Sequence, residues 1–213
     1  MECTRLAIFD FDDTMFKGDS IVPYLIFCYR QGLFGFGHLI ASSLCGMAFV
    51  VKLIKSETVK SRSLSFIKNV NKQRLAEVSE QFVKERLLPN IFSESLKNLM
   101  AHRANNDHVL ILSASPEVYL KYLKKYLPVY QVICSTVDDE GNIISNAKGK
   151  NKGILIRQYV KEQGLSVDWE NSYAYGDSLS DSGVMALCGN PVKVNPKPSF
   201  RRTHTGWKTV YWT

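Results

Sequence analysis

The five cysteines, Cys3, Cys28, Cys45, Cys134 and Cys188, are odd in number and scattered, with no C-x-x-C pair among them. That excludes a disulfide framework and a zinc site, and makes a reducing cytoplasm the simplest home. The amino terminus has no charged segment followed by an apolar segment and a cleavage site, so no secretory leader is expected. Internal repeats and low-complexity tracts are missing. So are basic–aromatic stacking motifs and recognition-helix patterns, which leaves no nucleic-acid module indicated. Two absences are local. Residues 31–51, 21 in all, contain no Asp, Glu, Lys or Arg. No acid follows Asp181, whereas Lys193, Lys197, Arg201, Arg202 and Lys208 do.

What is present is a chain of 213 residues, 45% apolar and 22% charged, which excludes disorder and fibrous repeats. Its length suffices to bury a core without disulfides or metals. The 27 Lys plus Arg against 20 Asp plus Glu leave a net charge of +7. An excess of this sign suits an anionic partner, a phosphorylated metabolite or a membrane surface among them, without choosing between them.

Leu6-Ala7-Ile8-Phe9 is a continuous apolar run ending in Asp10-Phe11-Asp12-Asp13-Thr14, the pattern of a buried parallel strand with acids at its carboxyl end. Val109–Leu112 followed by Ser113-Ala114-Ser115-Pro116 repeats it, with Ser115 placed to cap a helix and Pro116 at its first position. Ser172–Tyr175 before Gly176-Asp177-Ser178 is a third copy, and Val192–Val194 a weaker fourth. Helical stretches at 93–103, 116–126 and 152–163 alternate with these strands, which predicts an α/β fold with a mainly parallel sheet. Ligands in such sheets bind at the carboxyl ends of strands, where all three polar clusters fall.

Residues 17–89 break the alternation. Leu64, Ile67 and Val70, then Leu75, Val78 and Phe82, recur at helical spacing, which predicts a helical insert. Residues 136–146 read as a hairpin turning near Gly141. The uncharged run, flanked by Arg30 and Lys52, approaches the length of a bilayer span. Its four glycines, with Gln31, His38, Ser42 and Ser43, predict instead a buried or interface-lying helical hairpin. The basic tail, with Trp207, Tyr211 and Trp212, reads either as a solvated edge over packed aromatics or as an interfacial patch for anionic lipid.

Hydrolysis of a phosphate ester needs a nucleophile, a proton donor for the leaving oxygen and cations to neutralise the transferring group. Two acidic clusters, Asp10/Asp12 and Asp177/Asp181, a hydroxyl at Ser113 and a helix-start lysine at Lys152 supply those types. Singly, each has a plainer reading. The first acids could be an ordinary turn, Ser113 a turn residue and Asp177 a helix cap. Lys152 could be a surface lysine in a lysine-rich loop, with Lys148 or Lys150 able to take its part.

Together and in order they resemble a known family. Asp10-Phe11-Asp12-Asp13-Thr14 is similar to the D-x-D-x-T signature of the haloacid dehalogenase (HAD) superfamily, Ser113 to its second motif and Lys152 to its third. Gly176-Asp177-Ser178-Leu179-Ser180-Asp181 resembles its fourth, G-D-x-x-x-D. The insert after the first motif is similar to the C1-type cap of the phosphoserine phosphatase-like branch, subfamily IB. The resemblance implies a Rossmann-like three-layer α/β core over residues 1–16 and 90–213, with a helical cap over 17–89. It implies a Mg2+-dependent phosphomonoesterase with Asp10 as nucleophile, forming an aspartyl-phosphate, and Asp12 as general acid and base. Thr14 would orient the loop. Asp10, Asp12 through its backbone carbonyl, and Asp177 would hold Mg2+, with Asp181 behind them. Ser113, Ala114, Thr14 and Lys152 would serve the phosphate.

The expected substrate is a small phosphorylated metabolite or a lipid phosphate. By resemblance, Asp19 and Arg62 occupy places comparable to the residues with which phosphoserine phosphatases grip an amino acid, although that acid is usually Glu. A phosphatidylglycerophosphate-type lipid, met by peripheral contact with an anionic membrane, is the alternative. A catalytically silent phosphate-binding regulator is the reading from another class.

Overall fold

The computed structural model describes residues 3–51 and 53–213. Among them, seven strands form one sheet in the order β4-β3-β2-β1-β5-β6-β7. These are β1 (Leu6–Phe9), β2 (His108–Pro116), β3 (Gln131–Val137), β4 (Ile143–Ser145), β5 (Tyr173–Gly176), β6 (Asn190–Val194) and β7 (Lys208–Val210). Every neighbouring pair is parallel except β3 and β4, which form the hairpin expected near Gly141.

Side-chain alternation builds the three layers. Ala7, Phe9, Val109 and Ile111 lie in one apolar cluster with Leu99 of α5 (Ser93–Ala104) and Val118 and Tyr119 of α6 (Glu117–Leu120). Leu6, Ile8, Leu110 and Leu112 lie in the other, with Ile156 of helix Lys150–Glu162, Met185 of helix Ser182–Met185 and Phe200 of helix Pro198–Arg201. Strand β1, central and covered on both faces, is no more than 1% exposed. Its carboxyl end is thereby a fixed platform.

Between β1 and α5 the chain is helical: α1 (Ile21–Arg30), α2 (Phe36–Val50), α3 (Ser56–Leu64) and α4 (Lys72–Phe82), the last continuing through a wider turn at Val83–Leu87. The periodicity of Leu75, Val78 and Phe82 is the buried face of α4, and Asn71 caps that helix by accepting from the amides of Gln73 and Arg74. Tyr24 of α1 and Phe82 meet Tyr119 edge-to-face or tilted, at 4.5–5.4 Å between ring centres, and so join insertion to core. The uncharged run forms the turn that follows α1 and then α2. Among the described residues no helix is long and apolar enough to cross a membrane. In the tail, Trp212 is buried against Tyr175, and buried Lys193 donates to the Thr203 carbonyl.

Three sequence expectations are corrected. Ser115 caps no helix: β2 runs on to Pro116, α6 is a single turn, and the Ser115 hydroxyl is used elsewhere. Residues 121–125 are a 3-10 segment rather than a continued α-helix. Strand β3 begins at Gln131, ahead of the hairpin expected over 136–146, and β7 was not anticipated.

Candidate active site

The chain leaves β1 after Phe9 and folds back at once. The Phe11 carbonyl accepts from the amides of Thr14, Met15 and Phe16, and Asp13 takes a left-handed φ of 57°. Buried Phe11 and Phe16 stack beneath this loop. Asp10 is thereby held at the strand end, its amide donating to the Tyr175 carbonyl of β5. Its Oδ2 accepts from the Thr14 hydroxyl at 3.1 Å and its Oδ1 from Lys152 Nζ at 2.5 Å. Asp12 accepts from the Ser20 amide at 2.8 Å and from the Ser115 hydroxyl, which comes across from β2.

Helix α7 (Lys150–Glu162) begins beside this loop and carries Lys152, 2% exposed, between Asp10 and Asp181, 2.5 Å from each. Of the three lysines considered, Lys152 is the buried one and pairs with Asp10 and Asp181, while Lys150 is exposed at the helix start and Lys148 stands on the cavity wall. Asp181 also accepts from the amide and hydroxyl of Ser178, at 3.1 and 2.7 Å. The stretch 177–181 is a turn, and α8 (Ser182–Met185) starts only after Asp181. Gly176 makes this turn possible: a Cβ there would lie 2.6 Å from that of Asp181. Asp177 caps no helix. It pairs with Lys197 at 2.7 Å, and Lys197 also reaches Asp13 at 3.1 Å.

Electrostatics follow from burial. Burial raises the Asp10 carboxyl well above its usual pKa, and Asp181 and Asp177 push the same way against the opposing charge of Lys152. Burial likewise lifts Asp12 to about 6, with Asp19 adding to it, and Asp177 to about 6 despite Lys197. Burial opposes the charge of Lys152, but Asp10 and Asp181 outweigh it and hold the ammonium above its usual pKa. Oxygen atoms of Asp10, Asp177 and Asp181 lie within 4.8 Å of one another, and Asp177 Oδ2, although paired with Lys197, has no well-aligned hydrogen bond. Three buried carboxylates this close fit a hard divalent cation, which would relieve their mutual repulsion.

Above the cluster, between the strand ends and the helical insertion, lies a cavity of about 1040 Å3. Asp10, Asp12, Ala114, Lys152, Asp177 and Asp181 line its floor. Ser113 is fully buried beneath, its hydroxyl accepting from the Ser115 amide, so the wall that β2 presents is Ala114 and Ser115. Asp19 lines the cavity while its carboxylate accepts from the Ile21 amide at the start of α1. Arg62 is not brought to the cavity. It is exposed, 3.9 Å from Cys45 Sγ, and the cation that α3 contributes to the wall is Lys60, which donates to the Ala114 carbonyl at 2.5 Å. Sequence reasoning missed Lys60, Lys197, Ser20 and Ser115. Only Ser115 had a local signal, its nearness to Ser113.

The haloacid dehalogenase-like hydrolase family matches residues 7–186. The chain is 22% identical to a histidinol-phosphatase of Neisseria meningitidis serogroup C (strain 8013), over 97% of this chain and 98% of that protein. The solved structure of a protein of unknown function from Bordetella pertussis Tohama I superposes with a TM-score of 0.88 at 20% identity, covering 98% of this chain and 99% of that one. The phospho-aspartyl intermediate analogue of phosphoserine phosphatase superposes with a TM-score of 0.65 at 14% identity, over 98% and 93%.

Proposed function

The chain belongs to the haloacid dehalogenase-like hydrolases, and from that premise we propose that it is a phosphomonoesterase working through an aspartyl-phosphate on Asp10. One observation carries the reading. Three segments distant in sequence deliver Asp10, Lys152, and Asp177 with Asp181 to a single buried cluster on the floor of a cavity. The relative named a histidinol-phosphatase supports the same reaction class.

An Asp10 carboxylate oxygen attacks phosphorus while the bond from phosphorus to the ester oxygen breaks, and Asp12 gives its proton to the departing alcohol. Water then attacks the acyl phosphate, Asp12 takes the water proton, and inorganic phosphate leaves. A carboxyl lifted to about 6 suits both halves near neutral pH. Ser20 and Ser115 hold Asp12 in place, and Thr14 holds Asp10. Lys152 offers charge to the phosphate and counters the carboxylates that would repel it. Asp10, Asp177 and the Asp12 carbonyl would hold Mg2+, which supplies charge neutralisation between carboxylates and the dianion. Residues 17–89 act as a cap whose opening admits ester and releases products. The Ala114 and Ser115 segment, with Lys60 bound to the Ala114 carbonyl, replaces the expected Ser113 hydroxyl as the polar surface nearest the ester. With Arg62 outside the cavity, the grip on an amino-acid carboxylate that the resemblance implied for it is not made by that residue.

The test is hydrolysis of p-nitrophenyl phosphate with Mg2+ by wild type and Asp10→Asn. Turnover by wild type and a fall of at least 1000-fold in the variant is expected. Equal inactivity of both across a broad panel of phosphate esters would favour the silent regulator instead.

A further inference from the structure

The walls of the cavity above the carboxylates differ sharply from its floor. The insertion contributes Ile21, Val22, Leu25 and Ile26 from the start and body of α1, and Leu39 and Met47 from α2. At about 1040 Å3 the space lies at the upper end of what small-molecule sites occupy, about 300–1,000 Å3, and far exceeds the need of a phosphate group. A small polar ester would leave this apolar wall facing water.

The wall continues outside. Phe36, Ile40, Leu44, Met47 and Val51 recur every three or four residues along α2 and just past its end, and are between 46% and 64% exposed. This is one apolar stripe about 22 Å long on a helix without a charged residue. An exposed stripe of that size marks a surface that meets something apolar. Met47 and Val51 belong to both stripe and cavity lining, so stripe and cavity form one continuous apolar surface ending at the carboxylates. Exposed Arg30 and Lys55 flank it in sequence.

We propose, resting on the phosphomonoesterase reading, that the substrate is a phosphate monoester with a long apolar chain, taken from an anionic lipid surface on which α2 lies. The phosphate sits at Asp10 and Lys152, and the chain runs between α1 and α2 toward the stripe. Hydrolysis leaves inorganic phosphate and an apolar alcohol that returns to the lipid. A second copy of the chain fits the stripe less well. It would bring its own net charge of +7 and would shut the mouth of the cavity, whereas the same charge favours an anionic bilayer.

The experiment measures kcat/KM for ethyl, butyl, hexyl and octyl phosphate, each below its micellar concentration, beside p-nitrophenyl phosphate. The expected gain is about three- to fourfold per added methylene until the cavity is filled. A flat series overturns the inference and leaves the phosphatase reading intact; no turnover of any ester, aryl phosphate included, removes the reading beneath it. Val22→Asp with Met47→Asp, both at exposed positions, is expected to cut the octyl-to-ethyl ratio at least tenfold, and Ile26→Asp repeats the test should the double variant fold poorly. An undiminished ratio overturns the assignment of the wall. Wild type is expected to float with phosphatidylglycerol vesicles and Leu44→Asp, outside the cavity lining, to lose at least tenfold of that binding. Failure of wild type to float, or dimerisation through the stripe abolished by Leu44→Asp, overturns the lipid surface.

Discussion

Lys60 shows how one position can set a pH limit on the whole reaction. Burial lowers its ammonium to about 8, Lys148 pushes the same way, and Asp19, Asp12 and Glu57 oppose them. Below about pH 8 the free protein therefore holds this cation in the cavity wall; above it the Lys60 charge is lost and attraction for a dianion weakens. Since kcat/KM reports the free enzyme, it should fall as pH rises through about 8. Lys60→Met should be lower by about tenfold at pH 7, a loss of about 1.4 kcal/mol, and should meet wild type near pH 10. Parallel profiles for the two proteins would show that Lys60 does not face the substrate. The residue was not legible in the sequence, because nothing distinguishes it from exposed Lys55 in the same stretch until α3 is laid over Ala114 and Asn146.

At the scale of elements, the β3–β4 hairpin is the strut under α3. Gly141 at its tip has a φ of 88°, and a Cβ there would lie 2.2 Å from the Leu64 carbonyl that ends α3. The Ile143 amide donates to Ser61, and Asn146 joins Glu57 and Lys60. Gly141→Ala should therefore push the hairpin off the helix, lowering stability by roughly 1–3 kcal/mol in a denaturant titration. KM should rise as Lys60 loses its support. An unchanged midpoint and KM would deny the hairpin this role. The hairpin turn was readable from the glycine, as were β1, β2 and β5, whose apolar runs end in polar clusters. Of strand β3 only the end was readable, as an arm of that hairpin, although Val132 and Cys134 alternate as buried positions, a real but short signal. Strand β7, three largely exposed residues, has no pattern to read. Lys197 was equally hidden: only the return of the chain after β6 brings it to Asp177, and no spacing from the aspartate motif encodes that.

For the molecule as a whole, the carboxylate cluster sets repulsion against a core that stands without it. Both apolar layers flanking the sheet are complete without a metal, so chelation should leave the chain folded, unlike small domains in which the metal is the core. A cation that binds only the folded chain should nevertheless stabilise it by mass action, about 2.7 kcal/mol at a hundred times its dissociation constant. For a chain of this length that is a rise in Tm of about 5–10 °C. Thermal melts with EDTA and with increasing Mg2+ should show a single transition throughout, moving upward with the metal. Asp177→Asn removes one of the three clustered carboxylates, so its melting temperature in EDTA should equal or exceed that of wild type, because repulsion is relieved, while most of the Mg2+ increment is lost. An equal increment in the variant, or none in wild type, would place the metal elsewhere or nowhere in this fold. The readout is independent of turnover, so it separates a failure of the metal site from a poor choice of ester.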